Sequence, residues 1–123
     1  MKKGLLSYRM GKQAEQRALK FLSGYGLKFL GRNFRAGRGE IDLILQDGKT
    51  IVFVEVRARS SSGYMDAIES IDRRKVDNII RASRHYLQKH GISDSALCRF
   101  DVVTLTGASR SPKIEWIKGA FEA

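Results

Sequence analysis

Glu40-Ile41-Asp42-Leu43-Ile44-Leu45 and Thr50-Ile51-Val52-Phe53-Val54-Glu55-Val56 are β-rich runs separated by Gln46-Asp47-Gly48-Lys49. Asp-Gly between two such runs is a strong hairpin signal. Side chains alternate faces along a strand, so Glu40 and Asp42 share a face of the first arm, and Glu55 and Arg57 a face of the second. A two-residue turn at Asp47-Gly48 would pair Gln46 with Lys49, setting Asp42 opposite Phe53 and Glu40 opposite Glu55. The polar residues then gather on one face, and any loop of even length preserves this. Asp42 and Glu55 become diagonal neighbours, roughly 7–8 Å apart, from which two carboxylates can converge on one ion.

Carboxylates that face one another destabilise a sheet, and three of them in a chain of formal net charge +10 call for a compensating cation. Magnesium and manganese, hard ions with oxygen ligands, are the natural candidates. The pattern equally admits a solvated face on which the acids pair with Arg35, Arg38, Arg57 or Arg59. Residue type and spacing leave both readings open.

Outward from the hairpin, Tyr8 to Gly24 reads as an amphipathic helix with Ala14, Ala18, Phe21, Leu22 and Tyr25 at helical spacing, stopped by Gly24 and Gly26. Glu15 lies at the edge of that stripe, with Lys12 or Arg17 as its ordinary partner. Leu27 to Phe34 is a first strand, weakened by Gly31, and Ser60-Ser61-Ser62-Gly63 is a loop. A second helix runs from about Ser70 to His90 with Val76, Ile79, Ile80, Ser83 and Leu87 on its apolar stripe. Strands over Arg99 to Thr106 and Lys113 to Ile117 complete the order α, β, β, β, α, β, β, with Trp116 and Phe121 covering the far end of the sheet.

The 123 residues, 42% hydrophobic and 29% charged with one proline, suit a single globular α/β domain over residues 1–123. Cys98 is the only cysteine and is expected in the core, which excludes an internal disulfide and a cysteine zinc site and favours a reducing, cytoplasmic setting. His85 and His90 are off a common helical face, against a histidine site. The basic start Met1-Lys2-Lys3 imitates a signal peptide, but Ser7, Arg9 and Lys12 interrupt the apolar run, and no stable membrane insertion is expected.

The surplus of 23 Lys and Arg over 13 Asp and Glu favours a polyanionic partner such as nucleic acid or an anionic membrane surface, two classes that charge alone does not separate. Arg73, Arg74 and Lys75 on the second helix, with Arg35, Arg38 and Arg59 around the hairpin, are candidate contacts to phosphates, which position a nucleic acid without reading its sequence. Tyr64 and Tyr86 read as packed or incidental residues, not stacking platforms.

The strings Gly39-Glu40-Ile41-Asp42-Leu43-Ile44 and Val52-Phe53-Val54-Glu55-Val56-Arg57-Ala58-Arg59 resemble the YraN-like family of uncharacterised proteins. That family is itself similar to Holliday-junction resolvases and the PD-(D/E)xK restriction-endonuclease-like superfamily. Gly11 to Leu22, Lys75 to Leu87, Arg99-Phe100-Asp101-Val102, Trp116 and Ala120-Phe121 extend the resemblance over nearly the whole chain. It implies an αβββαβ core, a mixed sheet flanked by helices, and a divalent metal held by Asp42, Glu55 and the main-chain carbonyl of Val56. Glu40 and Glu15 are auxiliary acids under this resemblance, and a homodimer is a further expectation, since the resolvases work as dimers.

The superfamily's catalytic lysine falls on Arg57. Arginine can hold a phosphate or a water but does not readily give up its proton. The leading expectation is a metal-dependent endonuclease acting on branched or single-stranded DNA, with Asp42, Glu55, Arg57 and Glu15 as its catalytic set. The alternatives are a catalytically silent nucleic-acid-binding module on the same fold and a scaffold whose charge anchors it to an anionic assembly.

Overall fold

The computed structural model describes residues 2–59, 69, 71–107 and 110–123, with side chains from residue 11 onward. The Ser60 to Gly63 loop, Tyr64 and Ser70 lie outside the described residues. Helix α1 (Lys2–Gly24) is followed by the antiparallel meander β1 (Lys28–Ala36), β2 (Gly39–Asp47) and β3 (Thr50–Arg59). Helix α2 (Arg73–Lys89) then carries the chain to β4 (Cys98–Thr106), parallel to β3, and β5 (Lys113–Phe121) closes the sheet antiparallel to β4. Spatial order equals sequence order. The expected mixed sheet and αβββαβ order are both observed, with β5 added.

The sheet is covered on both faces, which is why β2, β3 and β4 read as almost continuous apolar runs. Ala14, Ala18 and Leu22 of α1 pack with Leu43, Leu45, Val52, Val54, Val103 and Leu105 on one face. Ile79, Ala82, Tyr86 and Leu87 of α2 pack with Ile41, Ile44, Phe53 and Phe100 on the other. Tyr86 is buried, as a packed residue should be, whereas Tyr25 lies past the end of α1 and is 65% exposed instead of completing its apolar stripe. Among the described residues no helix is long and apolar enough to cross a membrane.

The hairpin register differs from the expectation by two residues. Asp47 pairs with Thr50 and Leu43 with Val54, so the turn is Gly48-Lys49, with Gly48 at φ 62°. Positive φ at the first central position alone is the type II′ pattern, which glycine there favours. Asp42 and Glu55 come directly after the last pair, Leu43 with Val54, and Phe53 pairs with Ile44 in place of the expected Asp42.

A second difference is a break in alternation at Asp42. Ile41 packs on the α2 face and Leu43 on the α1 face, although they are two apart. Their β1 partners do the same: Arg32 bonds Gln16 of α1, while Phe34 meets Tyr86 of α2 edge-on at 5.3 Å. Between them Asn33 has φ 50°, a left-handed conformation that asparagine tolerates better than most residues. Glu40 and Asp42 therefore do not stand on one regular face.

Cys98 is exposed, not core, because it opens β4 at the rim of the sheet. Strand β5 runs past Ile117 to Phe121 because a register shift opposite Asp101, with Gly119 at φ 60°, lets pairing resume at Phe100 and Phe121. Trp116 packs toward α1, and Phe121 stacks on Phe100 at 5.0 Å on the other face. Asp101, fully buried, accepts hydrogen bonds from Arg99 Nε (2.9 Å) and Nη2 (3.0 Å), Trp116 Nε1 (2.8 Å) and the Gly119 amide (2.9 Å). Arg99 also reaches Asp47 at 3.2 Å, tying β4 and β5 to the end of the hairpin.

Gly39 fixes where α2 lies. A Cβ there would fall on the Asn78 carbonyl oxygen and within 2.8 Å of its carbon, and neither backbone group can turn aside. Gly39→Ala should therefore destabilise by about 1–3 kcal/mol in thermal or urea unfolding, as overpacking does. Gly11→Ala, in open space on α1, should stabilise by about 0.5–1 kcal/mol. A neutral Gly39→Ala would contradict this seating of the helix.

Candidate metal centre and nucleic-acid interface

Asp42 and Glu55 are brought together at the end of the paired part of β2 and β3. The Val56 amide donates to Asp42 Oδ2 at 2.8 Å, so the Asp42 side chain takes a main-chain donor of the facing strand. Glu55 is 5% exposed and accepts two cations on Oε2, Arg57 Nη2 at 2.9 Å and Lys75 Nζ at 3.4 Å. Lys75 comes from the first turn of α2, where the Asp72 carboxylate caps the helix by accepting its amide at 2.9 Å. That turn carries Arg73, Arg74 and Lys75 and no acid, an unfavourable sign of charge for the positive end of a helix dipole.

The Asp42 carboxyl is pushed up from its ordinary 3.8 to about 8, chiefly by removal from water. The charge of Glu55 and a hydrogen bond to it contribute next to that rise, Glu40 gives the weakest push, and the Val56 amide opposes them. Asp42 therefore holds a proton near neutral pH and is hydrogen-bonded to Glu55. Two such carboxylates fit a hard divalent ion, which would displace that proton.

The other expected acids do not join them. Glu40 pairs with Arg35 across β1 and β2 at 2.7 Å, and that pair is solvent-exposed. Glu15 accepts from Asn33 Nδ2 at 3.1 Å and lies 3.6 Å from Lys12, which also donates to the Asn33 side chain. It thus holds the left-handed residue that continues the register opposite Asp42. Among the described residues no three of His, Cys, Asp and Glu converge as a metal site. Val56 packs its side chain toward α1, leaving only its main chain for the pair.

Of the expected phosphate contacts, Arg35 is engaged with Glu40, Lys75 with Glu55 and Arg73 with Asp77 at 3.4 Å. Arg38 and Arg74 are exposed, and Arg59 is half-buried at the end of β3. Sequence reasoning passed over Thr104, the parallel-sheet partner of Arg57. Its Oγ1 and the Arg57 Nε are both buried without a hydrogen-bond partner. A threonine amid Val102, Val103 and Leu105 was the available signal.

Between about pH 4 and pH 8 the folded chain keeps a proton on Asp42 that the unfolded chain has lost, so stability falls as pH rises through that window. Asp42→Asn removes the titration, and with chelator present it should melt above the wild type at about pH 8. Manganese competes with the proton, so it should raise the wild-type melting temperature more at pH 8 than at pH 6 and leave the variant unmoved. Identical melting of both proteins at pH 8, with no manganese response, would contradict the proton held on Asp42.

Residues 14–105 match the uncharacterised protein family UPF0102. A UPF0102 protein of Stutzerimonas stutzeri is 44% identical over 117 residues, covering 95% of this chain and 98% of the relative. One of Alkalilimnicola ehrlichii is 46% identical over 113 residues (92% and 86%), and one of Shewanella amazonensis 45% over 111 (90% and 97%). With the YraN-like resemblance read from the hairpin, these matches place the chain in one family: it belongs to the uncharacterised protein family UPF0102.

Proposed function

We propose that the protein is a metal-dependent endonuclease of DNA, branched or single-stranded, whose metal ligands are Asp42, Glu55 and the Val56 carbonyl. The carrying observation is the carboxylate pair itself, two acids kept in hydrogen-bonding contact against their mutual repulsion. Bound magnesium or manganese would supply Lewis acidity and a more acidic water. Arg57, anchored on Glu55, offers a guanidinium suited to a phosphate oxygen. Lys75, whose ammonium pairs with Glu55, takes the water-orienting place that Arg57 fills poorly, so its role moves from the phosphate track to the centre.

One observation favours the silent binding module. Arg57 and Lys75 together already neutralise Glu55, as a structural ion-pair cluster would.

Single-turnover cleavage of labelled single-stranded, duplex, flap and four-way DNA with magnesium or manganese separates the two readings. Cleavage is expected in the wild type and lost in Asp42→Asn. Lys75→Met should lower the rate by about 100-fold, the usual scale for removing one transition-state donor. Cleavage surviving Asp42→Asn would overturn the assignment, and an inert wild type that still binds DNA would favour the module.

A further inference from the structure

Arg38, Arg73, Arg74 and Arg81 line one cleft between the β1–β2 turn and the outer face of α2, together with Asp77 and Asn78. Asp77, the one carboxylate lining it among the described residues, is taken by Arg73. Arg38, Arg74 and Arg81 are exposed and have no ion pair or hydrogen bond among the described residues. An adjoining recess adds Gly37 and His85 beside Arg38 and Arg81. Arg74, Asn78, Arg81 and His85 follow helical spacing, so they form one polar stripe along α2. The close approach of Gly39 to Asn78 holds the turn against that stripe, which brings Arg38 to Arg81.

Guanidinium groups that outnumber their counter-charges repel one another, and a packed turn and helix keep them from separating. An anion with several oxygens relieves that repulsion, and guanidinium forks match phosphate oxygens two at a time. We infer that this cleft is a binding site for the phosphate backbone of DNA, distinct from the carboxylate pair. The inference rests on the proposed DNA partner but not on cleavage.

The spacing supports a continuous track. Arg38 and Asp42 are four residues apart on the turn and β2, about 14 Å at ~3.4 Å per residue. One DNA strand rises by a similar length in about four base steps. A strand lying across the carboxylate pair therefore reaches the cleft within a few nucleotides. A membrane fits less well, because the described residues of the cleft are arginine, aspartate and asparagine, with no apolar side chain among them to enter lipid.

The test is fluorescence anisotropy of labelled duplex DNA across a salt series, with chelator present so that no metal contributes. The proteins are the wild type, Arg38→Gln with Arg81→Gln, and a charge-matched control, Lys20→Gln with Lys49→Gln, on α1 and the β2–β3 turn. The cleft variant should lose at least about tenfold in affinity at low salt. Its slope of log affinity against log salt should become shallower by about 2, one contact per arginine. The control should keep nearly the wild-type slope. An unchanged slope in the cleft variant, or an equal loss in the control, would overturn the site in favour of diffuse charge. Wild-type binding to phosphatidylserine vesicles but not to DNA would overturn the partner. Loss of cleavage alone, with cleft-dependent binding intact, would remove the nuclease reading and leave the cleft standing.

Discussion

Two acids brought together at the end of the paired part of β2 and β3 set the constraint to which the surrounding structure answers. A sheet covered on both faces needs apolar residues on both sides of its central strands, and β2, β3 and β4 largely supply them, the buried exceptions being Thr104, the hydrogen-bonded Asp101 and the acids at this end. Leaving Asp42 and Glu55 there costs free energy through desolvation and repulsion. The Val56 amide, Arg57 and Lys75 offset part of that cost. Gly39 lets α2 come close enough for Lys75 to reach across, and Asn33, held by Glu15 and Lys12, turns β1 opposite the site. Several local rules are broken within this small region, as happens where function competes with stability.

Much of the fold was legible because its signals are periodic. The apolar stripe of α2, the hairpin and the order of elements follow from spacing alone, and the paired acids follow from the hairpin. The register was misread because Asp-Gly can place its glycine at either central turn position, and only the tertiary structure selects Gly48-Lys49. Parity survived that two-residue shift, so Asp42 and Glu55 still met. Glu40 was lost from the group because a left-handed asparagine resets the alternation, a conformation no periodicity reveals. Lys75 looked like one of many surface cations until the helix brought it to Glu55.

The basic surplus is also less uniform than its total suggests. Arg99 is consumed in satisfying buried Asp101 and anchoring the hairpin turn, and Arg35 answers Glu40. Arg57 and Lys75 answer Glu55. What remains on one side, around the β1–β2 turn and α2, is a smaller set of uncompensated guanidinium groups beside the acidic pair. Acidic and basic groups thus lie on the same short stretch, Arg38 to Asp42, the arrangement that the proposed cation and polyanion would together require.

The most direct measurement is anomalous scattering from crystals of the protein soaked in manganese at about pH 8, where the proton on Asp42 is readily displaced. A manganese peak within about 2.3 Å of carboxylate oxygens of both Asp42 and Glu55 is the predicted result. A clean map at that position, with Asp42 still bonded to the Val56 amide and Glu55 still clasped by Arg57 and Lys75, would contradict the central claim.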